Sequence, residues 1–188
     1  MIVIPTRIPD VKLFEPEVFR DERGFFLESF NRARLMSAGI AAEFVQDNHS
    51  GSFRNVLRGL HYQIRQPQGK LVRVIAGEVL DVAVDIRGGS ETFGQHVAAV
   101  LSAEDRRMMW IPPGFAHGFV VRSDFAEVLY KTTAYYDRGA ERAILWNDPD
   151  LAIDWQLSSP PLLSPKDRLA PRLKDAELPA SDPPHPGE

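Results

Sequence analysis

From Lys70 to Ala76 the side chains alternate between two faces, with Lys70, Val72 and Val74 on one and Leu71, Arg73 and Ile75 on the other. A period of two in Val, Ile and Leu predicts a strand, and here it sets an amine among apolar neighbours. Gly77-Glu78 follows as a tight reversal, which predicts a hairpin with a second strand over Val79 to Ile86. Further short runs of strand character lie at Val11–Phe14, Val18-Phe19, Phe25–Phe30, Phe44–Asn48, Gln95–Leu101, Met108–Ile111 and Val128–Thr132, parted by polar, Gly or Pro turns. Such a series predicts an all-β sandwich or barrel. One short helix is expected before the C-terminal region, capped by Asn31, running to Ser37 and stopped at Gly39.

With 188 residues the chain is expected to form one domain over residues 1–178. Pro179 to Glu188 is rich in Pro and Asp without periodicity, and is expected to be a disordered tail. A net charge of −4 argues against a general nucleic-acid binder, although a basic pocket for a small anion is compatible with it. The absence of cysteine excludes disulfides, thiol catalysis and thiolate metal sites. The first residues lack a secretory pattern and no run is apolar enough to cross a bilayer, so the expectation is a soluble cytoplasmic protein with no membrane partner.

Chemistry-bearing side chains gather in Arg58-Gly59-Leu60-His61-Tyr62-Gln63 and Gly69-Lys70, and again in Pro112-Pro113-Gly114-Phe115-Ala116-His117. Gly59-Leu60-His61 and the Pro112–His117 segment resemble the two half-motifs of a cupin barrel, which implies a double-stranded β-helix, or jelly roll, with both histidines near one small cavity. Metal-binding cupins need three or four convergent ligands. Here the second motif position is Gln63, a neutral amide; Ile64 to Arg73 contains no Glu, and Arg58 and Lys70 bring positive charge. The site is therefore read as metal-free.

An ordered series extends the likeness. Phe19-Arg20-Asp21-Glu22-Arg23-Gly24 with Glu28 comes first, then Gln46-Asp47-Asn48-His49-Ser50, Val56 to Gln63 and Gln68-Gly69-Lys70. Ile111 to Phe119, Tyr130-Lys131, Glu141 and Ser164-Pro165-Lys166-Asp167 complete it. On these segments, from about Asp10 to Arg168, the chain resembles the dTDP-4-dehydrorhamnose 3,5-epimerases. That resemblance implies a 4-keto nucleotide sugar as substrate, dTDP-L-rhamnose biosynthesis as the setting, no cofactor and a homodimer.

It also implies roles. His61 corresponds to the base and Asp167 to the carboxylate that orients it. Lys70 corresponds to the cation facing the C4 oxygen, and Tyr130 to the proton donor on the opposite face. Arg23, Arg58 and Lys166 suit the diphosphate. Gln46, Asn48 and Glu28 suit the deoxyribose and thymine edges, and Phe19 or Phe26 a stack on the base. His117 lines the sugar pocket, and Glu141 belongs to the substrate-binding set. Residues such as Arg23 and Glu28 are expected to serve the neighbouring subunit of the dimer.

Two other readings stand beside the double epimerase. One is a related cupin that epimerises a single carbon or isomerises the ketone of the same sugar. The other is a non-catalytic carbohydrate-binding cupin or a metal-dependent oxygenase; Gln63 and the missing glutamate speak against the oxygenase.

Overall fold

The computed structural model describes residues 1–180. Its strands are β1 (Ile2–Pro5), β2 (Lys12–Glu15), β3 (Val18–Asp21), β4 (Gly24–Leu27), β5 (Gln46–Phe53), β6 (Leu57–Gln63) and β7 (Lys70–Ala76). They continue with β8 (Glu78–Asp85), β9 (His96–Ser102), β10 (Met108–Ile111), β11 (Phe115–Val121), β12 (Phe125–Thr132) and β13 (Glu141–Ala143). Two short helices, α1 (Arg32–Ser37) and α2 (Pro165–Arg168), interrupt the β-structure. One sheet has the order β1-β2-β10-β7-β12-β5, and it faces a second of order β13-β6-β11-β8-β9. This is the expected jelly roll of the cupin type.

Alternation decides what fills the space between the sheets. Val72 and Val74 of β7, Val79 and Ala83 of β8, Phe115 and Phe119 of β11 and Val128 of β12 form one buried cluster. On the outside of the five-stranded sheet, Leu80, Val82 and Val84 pack under Ile144, Leu151, Trp155 and Leu173 of the C-terminal segment. Beyond the six-stranded sheet, Leu35 of α1 and Ile40 cover Leu71, Met108 and Trp110. Asn31 caps α1 as expected, its side chain accepting from the Arg34 N–H at 3.2 Å. Among the described residues no helix is long and apolar enough to cross a membrane.

The expected hairpin at Gly77 does not form. β7 lies between β10 and β12, whereas β8 lies between β11 and β9 in the other sheet. Gly77, at φ +71°, carries the chain from one sheet to the other. A Cβ there would collide with the Phe125 carbonyl, so only glycine fits the crossing. A tight turn between sheets and a tight turn within one use the same residue type, which is why the two could not be told apart. Other boundaries also differ: β4 stops at Leu27 rather than Phe30, and β5 runs on to Phe53. β1 and β13 are short edge strands without a distinct alternation of their own. The expected tail lies, beyond Ala180, outside the described residues.

Candidate active site

Within the interior, the apolar sequence of inward positions is broken at one level. Lys70 precedes Val72 on β7, Asp81 sits between Val79 and Ala83 on β8, His117 between Phe115 and Phe119 on β11, and Tyr130 between Val128 and Thr132 on β12. An apolar side chain at each position would contribute about 2 kcal/mol by burial. Polar groups kept there at that cost point to chemistry.

His61 and His117 are cross-strand partners on β6 and β11. The two backbones approach closely at that point: Gly59 has φ +125°, and a Cβ on it would lie 2.5 Å from the Gly118 Cα. Lys70 and Tyr130 come from neighbouring strands of the other sheet, since β7 and β12 pair Lys70 with Thr132 and Val72 with Tyr130. The result is a cavity of about 180 Å³ bounded by Arg58, His61, Lys70, His117, Tyr130 and Glu141, with Ser50, Gln63 and Tyr136 also on its wall. His61 and Tyr130 thus stand on opposite sheets with the cavity between them.

His61 Nε2 lies 2.5 Å from Asp167 Oδ1. Asp167 is buried at the start of α2, where its own N–H is capped by Ser164 Oγ at 3.1 Å. Burial pushes the Asp167 carboxyl up, but the hydrogen bond and charge of His61, with Ser164 and Lys166, outweigh it and hold the group below its ordinary range. An ionised carboxylate on Nε2 fixes the ring and leaves Nδ1 as the nitrogen that can take a proton. Lys70 is 7% exposed, and burial lowers its ammonium to about 8 against the opposing charges of Asp81 and Glu141. Its ammonium donates to the His61 carbonyl at 3.5 Å. Tyr130 is raised, chiefly by burial, so the phenol keeps its proton at neutral pH.

The rim is a second network. Glu141 Oε1 meets Lys166 Nζ at 2.5 Å and Glu141 Oε2 accepts from Tyr136 Oη at 2.8 Å. Arg58 is steadied by Ser52 Oγ at 3.0 Å. Gln46 Nε2 donates to Asn48 Oδ1 at 2.8 Å, and Gln46 Oε1 accepts from the Tyr136 N–H at 3.0 Å, which ties β5 to the rim. Gln63 is occupied: its amide nitrogen donates to the Gln66 and Tyr135 carbonyls and its oxygen accepts from the Asp137 N–H. Among the described residues no group of three or more His, Asp or Glu side chains is placed to hold a metal ion.

Four of the residues expected at the site are elsewhere within the chain. Phe19, Arg23 and Phe26 belong to the β3–β4 hairpin, which pairs with neither large sheet and lines a separate depression. Glu28 is held by Asn31 and Arg34 near α1. Conversely, Asp81 was missed, although an acid between Val79 and Ala83 at an inward position was a legible signal. Tyr136 also lines the cavity. A larger cavity of about 590 Å³ around Arg87, Ser90 and Thr92 has its charge already engaged, Arg87 being paired with Asp10 and Asp85.

Comparison with known proteins adds the family. The sequence description of the dTDP-4-dehydrorhamnose 3,5-epimerases matches residues 5–175. The chain is 64% identical over 171 residues to the dTDP-4-dehydrorhamnose 3,5-epimerase of Pseudomonas aeruginosa, covering 90% of this chain and 94% of that one. Among solved structures it is similar to the Legionella pneumophila dTDP-6-deoxy-D-glucose-3,5-epimerase in complex with dTDP-4-keto-L-rhamnose, with a TM-score of 0.93, 54% identity and 95% and 97% of the two chains covered. A 3′-monoepimerase from Streptomyces bikiniensis in complex with dTDP-quinovose shares the fold at a TM-score of 0.87 and 34% identity, over 93% and 91% of the chains. A match along nearly the whole chain, together with a cavity that sets a histidine–aspartate pair against a protonated tyrosine, places this protein in the dTDP-4-dehydrorhamnose 3,5-epimerase family.

Proposed function

We propose that this protein inverts C3 and C5 of dTDP-4-dehydro-6-deoxy-D-glucose to give dTDP-4-dehydro-L-rhamnose, in dTDP-L-rhamnose biosynthesis. The observation that carries the reading is the placement of His61 and Tyr130 on facing sheets with Lys70 beside them. The hydrogens at C3 and C5 flank the C4 carbonyl. His61 removes one of them from one face, its imidazolium steadied by Asp167. Charge moves onto the C4 oxygen, where the Lys70 ammonium donates a hydrogen bond. Tyr130 Oη then protonates the carbon from the other face. Proton exchange with solvent returns Tyr130 to the phenol and His61 to the base, and the same steps serve the second carbon after the sugar is reseated.

Arg58 suits the diphosphate, and Gln46, Asn48 and Tyr136 suit the nucleoside. The position of the β3–β4 hairpin supports a homodimer in which each copy lends Arg23, Phe26 and Glu28 to its partner's cavity: Phe25 and Phe26 are 58% and 67% exposed on an element that pairs with neither large sheet. The reaction as written uses no metal, and turnover should survive exhaustive chelation.

Incubation with the 4-keto sugar nucleotide in D2O, read at C3 and C5 by NMR, tests the proposal. Deuterium is expected at both carbons; entry at one alone would support the single-carbon reading, and at neither a binding protein. Tyr130→Phe separates the two proton transfers. Base, cation and binding groups remain, so solvent deuterium should still enter recovered substrate while conversion falls by about a hundredfold. Equal losses in exchange and inversion would remove Tyr130 from the donor role.

A further inference from the structure

Pairing of β6 with β13 sets Gln63 opposite Glu141, and the segment between β12 and β13 passes beside both at the cavity rim. Gln63 is 3% exposed and its amide is spent on main-chain groups. The nitrogen donates to the Gln66 carbonyl at 3.1 Å and the Tyr135 carbonyl at 3.3 Å, and the oxygen accepts from the Asp137 N–H at 2.8 Å. This orientation is the one the partners allow: turned over, the amide would set its oxygen against two carbonyls and its nitrogen against an N–H. The residues gripped at 135 and 137 flank Tyr136. Two further glutamines hold the same segment, Gln68 donating to the Ala134 carbonyl at 2.8 Å and Gln46 accepting from the Tyr136 N–H at 3.0 Å. The tip of Tyr136 is tied as well, its hydroxyl donating to Glu141 Oε2 at 2.8 Å.

Tyr136 is 52% exposed, so packing does little to hold its ring, and hydrogen bonds at the backbone and the hydroxyl do so instead. An aromatic face fixed before a flat ligand arrives lowers the ordering cost of binding it. We propose that Gln63 is a positioning residue for the nucleotide, holding the segment from Tyr135 to Asp137 so that the Tyr136 ring stands preformed at the rim for the base. The inference rests on the reading of Tyr136 as a nucleoside contact. It extends the binding machinery to a side chain whose two amide hydrogens are already spent, leaving none for substrate. Of the three glutamines, Gln63 isolates the effect. Gln46 itself suits the nucleoside, and Gln68 reaches only Ala134, short of the ring. An apolar side chain would serve burial on β6 better, and the grip on the rim accounts for the amide kept there.

The test is Gln63→Met, which keeps the volume and removes the hydrogen bonds to Gln66, Tyr135 and Asp137. Calorimetric titration with dTDP, the nucleotide without the sugar, reads binding apart from chemistry. Kd for dTDP and KM for the 4-keto sugar nucleotide should both rise about tenfold while kcat stays within about threefold, because the segment meets the handle and not the reacting carbons. Gln63→Asn, whose shorter amide falls short of the segment, should act in the same direction and serves should Gln63→Met fail to fold. Tyr136→Ala should by itself weaken dTDP binding by about tenfold, and adding Gln63→Met to it should weaken binding less than about twofold more, since the ring to be positioned is gone. An unchanged Kd in a folded Gln63 variant, a loss confined to kcat, or full multiplication of the two losses in the double variant would overturn the proposal. Tyr136→Ala with dTDP binding intact would overturn the nucleoside reading of Tyr136 itself, and the inference with it.

Discussion

His61→Asn is expected to lower both solvent exchange and inversion by about a thousandfold or more, the scale of losing a positioned general base. Asn is too short to take the place of Nε2 at Asp167, so His61→Gln, whose longer amide can reach the carboxylate, serves as the control that separates loss of the base from loss of this buried contact. No other group on the wall can replace the base. His117 Nε2 is committed to Asp81, Glu141 is held by Lys166 and Tyr136, and the Lys70 amine is needed as its conjugate acid. The loss should appear in kcat and in kcat/KM alike, since the imidazole acts on the reacting hydrogen rather than on the nucleotide. Residual exchange at either carbon within about tenfold of the unaltered protein would mean that a different base operates.

Lys70→Met should lower kcat by about a hundredfold or more with little change in KM, because the cation meets a full negative charge only after the proton has left. The same substitution should stabilise the fold. The amine titrates at about 8 in place against 10.5 when exposed, so below about pH 8 its burial costs about 3 kcal/mol. The sign follows from proton binding: between about 8 and 10.5 the unfolded chain binds the proton that the folded chain has lost, and stability rises with pH across that window. Met keeps most of the stem and removes the charge, so denaturant unfolding at neutral pH should shift upward. In the active protein the same titration predicts a high-pH limb, with activity falling as pH rises through about 8. A variant with weaker binding and intact kcat would move Lys70 to the diphosphate, and a variant less stable than the unaltered protein would make Lys70 a structural ion-pair partner.

Much of this was legible in the chain because it depends on local pattern. Alternation from Lys70 to Ala76 assigned the inward face correctly, since a strand turns each successive side chain over whatever the sheet around it does. The Asn31 cap and the stop near Gly39 were legible for a similar reason, as both hydrogen bonds close within a few residues. His61, Lys70, Tyr130 and Asp167 carried motif signals and converge on one cavity or directly behind it. Asp81 was passed over because no motif marks it; its partner His117 is brought beside it by the pairing of β8 with β11.

Local pattern and the ordered motif series supplied most of the strands, many of the inward residues, the family and four side chains that meet at or behind one cavity. Long-range pairing settled that Gly77 separates two sheets instead of closing a hairpin, and that Gln63 is spent on the loop from Tyr135 to Asp137. It also decided that the β3–β4 hairpin stands away from the cavity of its own chain. Periodicity fixes which face a side chain takes, within a few residues. Which strand lies alongside, and therefore which charge meets which, is set by pairing over long sequence separations such as that between His61 and Asp167, and no local pattern encodes it.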